Sequence, residues 1–364
     1  MRSPHSFRRA VFQVSASLIS LGVSLGSACS SSEPNEQNDG GPQSADAGVA
    51  DTTSPEGEPD AASSDAAMDS GASCSGKGMP YPAGTTTQGS VMVSGRARTF
   101  RVHVPSTYRA DRAMAIVLAF HGGGGSGKQM EESSLLDVQA DREGFVTVYP
   151  DGTGVLGTWN GGLCCGRAVE ENVDDTAFVK AILDHLEGAL CADTRRIFAT
   201  GMSNGGILSH RLACELSDRL AAIAPVAGTI GVTDCKPSRP IPVMHVHGTL
   251  DGHVPVGGGT GCGPSGASYV SVADTMEGWR NRNACAATKV AYDAMGDGTC
   301  LAYTGCAAST VLCTIEAGGH SWPGGAPKTA VSDCPSDGVQ SRTFIANEVM
   351  WKFFRQNPMP AKSQ

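Results

Sequence analysis

The chain has 364 residues, 40% hydrophobic and 17% charged, a balance that supports a packed core and excludes a wholly disordered polypeptide. Its net charge of −9 is local, because residues 30 to 73 hold ten carboxylates and no Lys or Arg. With those ten and Arg2, Arg8 and Arg9 set aside, 26 acidic and 24 basic side chains remain, so residues 74 to 364 carry about −2 and offer no basic face to nucleic acid.

Residues 1–29 read as an export signal. Arg2, Arg8 and Arg9 precede an apolar stretch from Ala10 to Leu25 that is short for a stable membrane span. Gly26-Ser27-Ala28-Cys29 resembles a bacterial lipobox, with glycine departing from the usual first position. Two outcomes stand: a lipid anchor on Cys29, or simple cleavage after Ala28. Residues 30–73, rich in Ser, Asp, Glu, Pro and Ala, bury too little to offset their ordering entropy and read as a disordered acidic linker. A folded domain is expected over 74–364.

Within it, Ser90–Ser94 and Arg98–Val104 flank Gly95 as a hairpin. Ala113–Phe120 is a continuous apolar run, as in a strand buried on both faces, and ends at His121-Gly122-Gly123-Gly124-Gly125. One helix is predicted from Lys128 to Arg142, then a strand Phe145–Tyr149. Asp174 suits a helix cap, with Phe178, Ile182, Leu186 and Leu190 as the buried stripe. A strand at Arg196–Thr200 leads into Gly201-Met202-Ser203-Asn204-Gly205-Gly206 and a helix. Apolar strands follow at Ala221–Ala227, Ile241–Val246 and Val311–Glu316, with helices around Val272–Trp279 and Phe344–Phe354. Strands alternating with helices predict a mostly parallel sheet covered on both faces.

Gly201–Gly205 reads G-x-S-x-G between a strand and a helix, the context in which Ser203 becomes an exposed nucleophile on a sharp turn. The plain alternative is an ordinary Gly-rich turn. A serine hydroxyl needs a base, and the base an orienting carboxylate; in this arrangement the chain order is Ser, acid, His. Asp251 follows the strand ending His245-Val246-His247-Gly248, and His320 sits in a glycine-lined turn, so Ser203, Asp251 and His320 form the predicted triad. Asp234, in a Cys/Pro loop, is the rival acid; His210, His245 and His247 read as packing histidines and His253 as a loop residue. The oxyanion donors are expected to be the N–H groups of Asn204 and Gly123. The glycine run lacks the G-K-[ST] ending of a phosphate loop. Trp159 and Trp322 flank the predicted site, either as flat substrate contacts for a sugar or phenolic acid or as core.

Thirteen cysteines suit an oxidising compartment. Beyond Cys29, twelve remain, an even number with no pair of C-x-x-C units, which argues for disulfides over a metal. A bond between the adjacent Cys164 and Cys165 is strained, so each is expected to pair elsewhere, one of them with Cys214.

The glycine run after His121, Trp159-Asn160-Gly161-Gly162 with Cys164-Cys165-Gly166, Asp174-Asp175, the Ser203 turn, Ala224-Pro225-Val226-Ala227-Gly228, His247-Gly248-Thr249 with Asp251 and Pro255, and Gly318-Gly319-His320-Ser321-Trp322-Pro323-Gly324-Gly325 occur together in that order. As a set, from Cys74 to about Phe354, they resemble the secreted polyhydroxybutyrate depolymerase / feruloyl esterase family, akin to carbohydrate esterase family one. The resemblance implies a disulfide-rich α/β-hydrolase fold, ester hydrolysis without metal or cofactor, the triad and donors named above, and a plant cell-wall polysaccharide ester or a polyester as substrate. Depolymerase relatives often carry cysteine where Gly123 stands, so this chain leans toward the feruloyl or acetyl side. A monomer is expected, secreted or lipid-anchored to the bacterial envelope. An inactive binding scaffold and a serine peptidase are the competing classes.

Overall fold

The computed structural model describes Cys74, residues 80–328, Cys334, Pro335 and residues 337–361. The export segment 1–29, the linker 30–73 and the Cys29 anchor lie outside the described residues. The first elements are β1 (Thr85–Val93) and β2 (Arg96–Val104), an antiparallel hairpin turning at Ser94 and Gly95. β3 (Met114–Phe120) follows, buried at every position. The single helix expected over 128–142 is two, α1 (Gly127–Ser134) and α2 (Leu136–Glu143). Leu135 between them adopts φ 56°, which breaks the helical ladder.

Then come β4 (Phe145–Pro150), the short α3 (Gly166–Glu170) and α4 (Asp175–Ala189). Asp174 does cap α4, accepting the Ala177 N–H at 2.8 Å. β5 (Ala192–Met202), α5 (Asn204–Glu215), β6 (Ala222–Val226) and β7 (Val243–Gly248) complete the centre. A small pair, β8 (Gly259–Thr260) and β9 (Ser268–Tyr269), precedes α6 (Val272–Arg282). The chain continues through β10 (Lys289–Met295), β11 (Gly298–Tyr303), β12 (Thr310–Ile315) and α7 (Ala346–Gln356).

The main sheet runs β1-β2-β4-β3-β5-β6-β7-β12-β11-β10. Its centre, from β4 to β12, is parallel, and antiparallel strands flank it on both sides. Side-chain alternation along β3 divides the core: Ile116, Leu118 and Phe120 face the α4, α5 and α6 side, with Phe178, Leu212 and Trp279. Ala115, Val117 and Ala119 face α1, α2 and α7, with Met130, Leu136 and Phe353. This is the α/β-hydrolase fold.

All twelve described cysteines are paired: Cys74–Cys191, Cys164–Cys165, Cys214–Cys235, Cys262–Cys334, Cys285–Cys306 and Cys300–Cys313. Two expectations are therefore corrected. Cys164 and Cys165 bond to each other, across a cis peptide that brings their Cα atoms to 3.0 Å. Cys214 joins Cys235, in the loop that returns beside α5 after β6, and not the Trp159 loop.

Candidate active site

β5 passes into α5 through Ser203, which holds φ 56° and ψ −121°, a sparsely populated conformation for a residue with a Cβ. Its N–H donates to the Val226 carbonyl at 2.9 Å and its carbonyl accepts the Ile207 N–H at 2.9 Å. The turn lies so close to the end of β3 that a Cβ on Gly205 would sit 2.2 Å from the Phe120 oxygen. Glycine is there for close approach of two backbones. The glycine run after β3 is equally near: a Cβ on Gly122 would lie 3.4 Å from Cβ of Ser203 and 4.0 Å from its Oγ, and one on Gly123 would lie 3.8 Å from Cβ of Asn204. Among the described residues, the N–H groups of Gly123 and Asn204 meet no intramolecular acceptor. The first turn of α5 adds its positive dipole end at the same spot.

His121 shapes this run. Its Nε2 accepts the Gly152 N–H at 2.9 Å, so the ring proton is on Nδ1, 2.7 Å from the Gly122 oxygen. Burial pushes the imidazole below its ordinary pKa and keeps it neutral. The Asn204 side chain clamps the Trp159 backbone: Oδ1 accepts the Trp159 N–H at 2.7 Å and Nδ2 donates to the Trp159 oxygen at 3.0 Å.

Asp251 follows β7 and is almost fully buried. Its Oδ1 accepts the N–H groups of His253 (2.9 Å) and Val254 (2.8 Å), and its Oδ2 accepts from Nδ1 of His320 at 2.8 Å. Burial raises the carboxyl pKa, but attraction to His320, the His320 hydrogen bond, His247 and the Val254 N–H together bring it below the ordinary value. The group is an anion that holds the imidazole. His320 leaves β12 through Ala317-Gly318-Gly319, and its N–H donates to Oδ1 of Asp337 at 2.7 Å. Its carbonyl accepts from Nζ of Lys328. Asp337 Oδ1 also accepts the Gly252 N–H at 3.2 Å, so one carboxylate ties the acid loop to the histidine loop. The His253 ring stacks on His320, centroids 4.7 Å apart and planes at 19°.

β5, β6, β7 and β12 are parallel neighbours, so the segments carrying Ser203, Asp251 and His320 leave the same rim of the sheet. The structure joins Asp251 to His320 directly. Among the described residues, the hydrogen bonds of His320 go to Asp251, Asp337 and Lys328, and none joins it to Ser203 Oγ. With its Nδ1 proton held by Asp251, His320 has Nε2 free to accept one.

Comparisons with known proteins bear on the family of the chain. No family model matches the chain. Feruloyl esterase B of Piromyces equi is 31% identical over 231 residues, which are 60% of this chain and 42% of that protein. The putative esterase NocK of Nocardia uniformis subsp. tsuyamanensis is 30% identical over 267 residues, covering 68% of this chain and 76% of its own. The chain belongs to this family of carboxylic ester hydrolases, of carbohydrate esterase family one type. Feruloyl esterase C of Emericella nidulans is 27% identical over 273 residues, 74% of this chain and 87% of its own. Among solved structures, an acetyl xylan esterase from Aspergillus awamori aligns with TM-score 0.49 and 14% identity, over 65% of this chain and 94% of that one. The chain thus spans less than half of the Piromyces protein and about three quarters of NocK.

Against the expectations for this esterase, Asp234 pairs on the surface with Lys236 at 2.7 Å, and Asp251 holds the histidine. Neither tryptophan presents a face for substrate. Trp159 is 0% exposed; its Nε1 donates to the His121 oxygen at 2.9 Å and its ring meets Phe120 edge-on. Trp322 is 3% exposed, with Nε1 donating to Oδ1 of Asn347 at 2.9 Å. Both are supports under the site. Asp337 and the Asn204 side chain were not expected. Asp337 has no sequence signal, lying 17 residues beyond His320 in a polar stretch. Asp251, His253 and His320 offer donor atoms within 4.8 Å of one another, although Nδ1 of His320 and Oδ2 of Asp251 already engage each other. In the second convergence, His253 with Cys262 and Cys334, the cysteines are joined as a disulfide.

Proposed function

We propose that the chain is an exported serine esterase working through an acyl-enzyme on feruloyl or acetyl esters of plant cell-wall polysaccharide. The observation that carries this reading is the Asp251–His320 hydrogen bond of 2.8 Å on the same sheet rim as Ser203, itself held at positive φ. In this mechanism Ser203 Oγ attacks the ester carbonyl while Nε2 of His320 takes its proton; the hydroxyl-to-imidazole hydrogen bond forms in the substrate complex, as catalytic contacts often tighten only there. Asp251 keeps the ring in the Nδ1–H tautomer and stabilises the imidazolium. The N–H groups of Asn204 and Gly123 receive the oxyanion. His320 returns the proton to the leaving alcohol, and water, activated in the same way, releases the acid and frees Ser203.

Relatives named feruloyl esterase and acetylxylan esterase/xylanase support this substrate class. The paired cysteines support an oxidising destination, and the reading keeps a lipid anchor at Cys29 and the 30–73 tether as its envelope-bound form. Ser203→Ala is expected to lower kcat for p-nitrophenyl acetate by about 10⁴-fold or more with the fold intact by circular dichroism. Retained turnover ends the assignment of Ser203. A panel of methyl ferulate, acetylated xylan and hydroxybutyrate oligomers decides the ester; hydrolysis of the last alone assigns the chain to the polyester side.

A further inference from the structure

A hydrogen-bonded line of buried side chains runs from α6 to the Val254 carbonyl, beside Asp251. It starts at Trp279 on α6, whose Nε1 donates to Nδ1 of His210 on α5 at 2.9 Å. Nε2 of His210 meets Nδ1 of His245 at 3.3 Å, and Nε2 of His245 meets Nδ1 of His247 at 3.0 Å. Nε2 of His247 lies 2.8 Å from the Val254 oxygen and 3.4 Å from Oδ2 of Asp251. His245 and His247 are two apart on β7 and so share a face, the one covered by α5 and α6. All three histidines are at most 2% exposed.

Both ends dictate the same direction. Indole N–H can only donate, so His210 accepts at Nδ1 and carries its proton on Nε2. The Val254 carbonyl can only accept, so His247 also carries its proton on Nε2. His245 between them has to accept at Nδ1 and donate from Nε2; any other tautomer, or a doubly protonated ring, sets N–H against N–H or lone pair against lone pair. Burial acts the same way, pushing His210 down to about 3, His245 well below its ordinary value and His247 lower too, so each ring stays neutral.

We propose that His210, His245 and His247 are positioning residues, a one-directional relay of neutral imidazoles that holds the His247 N–H on the Val254 carbonyl and so fixes the turn whose Val254 N–H Asp251 accepts while it holds His320. The proposal rests on the reading of Asp251 as the triad acid. The charged or titratable groups around it are His247, His320, His253, Tyr269 and Asp337 at the Asp251 end and Arg282 at the other, its guanidinium 5.4 Å over the Trp279 ring.

Long-range ¹H–¹⁵N correlation on the full chain labelled at histidine tests the relay without reference to activity. Nε2–H tautomers at residues 210, 245 and 247, unchanged from mildly acidic to mildly basic pH, are expected; an Nδ1–H tautomer or an imidazolium at any of the three overturns it. His245→Phe removes the middle link while touching neither Asp251 nor substrate. It leaves Nδ1 of His247 without its donor while the Val254 carbonyl keeps the proton on Nε2, and should shift the His247 Nδ1 resonance toward that of an unbonded lone pair, lower kcat for p-nitrophenyl acetate about 10-fold with KM within about twofold, and move the acid limb of kcat/KM to higher pH, since a carboxylate with a looser Val254 N–H holds the imidazolium more tightly. An unchanged His247 Nδ1 resonance, kcat and acid limb in that variant reduce the three rings to packing and refute the proposal. If His245→Phe does not fold, the wild-type spectrum decides. If the wild-type chain cleaves no ester, the triad reading falls and the spectrum still judges the relay.

Discussion

The two halves of the candidate site are built from different materials. On the nucleophile side, backbone meets backbone: Ser203 at positive φ, the Gly205 turn against the Phe120 carbonyl, the glycine run alongside. On the acid–base side, side chains do the holding: Asp251 accepts three hydrogen bonds, Asp337 joins two loops, and the Cys262–Cys334 disulfide closes over them. Steric constraint of the first kind does not respond to pH and fails abruptly when an atom is added. Hydrogen-bonded constraint of the second kind is graded and depends on protonation.

The sharpest break of this contrast is expected at Gly205. Gly205→Ala forces a methyl against main-chain carbonyl oxygens that cannot swing away, and should cost about 3 kcal/mol or more, read as a large fall in Tm at any pH. A variant as stable as wild type means the turn is looser than its contacts imply. Next in size is Asp337→Ala, which leaves the His320 and Gly252 N–H groups without their acceptor. A fall in kcat of about 10- to 100-fold is expected with KM little changed, and Asp337→Asn, which keeps an acceptor oxygen, should recover most of it. Equal losses in both variants point to the charge rather than the acceptor.

The smallest effect is a slope. His210 titrates near 6.5 when unfolded and at about 3 when folded, so between those values the unfolded chain binds a proton that the native chain refuses. Stability attributable to it is complete above pH 6.5 and is lost as pH falls toward 3. His245 is lowered in the same sense. Denaturant melts of wild type and His245→Phe below pH 6.5 should differ in slope, the wild type being steeper by at most about 1.4 kcal/mol per pH unit. Parallel slopes imply that His245 is already protonated in the native state.

What was legible in the chain follows the range of the forces. The strand–Ser203–helix turn reads from neighbours, because apolar runs and glycines act locally. The α4 cap at Asp174 reads for the same reason. β10 and β11 were not anticipated: their mostly exposed or half-buried residues carry no apolar run, and their pairing beyond β12 is a long-range event, pinned by Cys300–Cys313. The break at Leu135 was hidden because a lone left-handed leucine has no residue signature.

By itself the sequence determined the alternating strands and helices of the parallel centre, the chain order of Ser203, Asp251 and His320, and the family these motifs resemble, since each depends on residue identity and short spacing. Tertiary structure alone decided the pairing of twelve cysteines, the burial of Trp159 and Trp322, the contact of Asp251 with His320, and the line of histidines beside it. Those outcomes depend on which distant segments share a few ångströms, and packing of the whole core sets that.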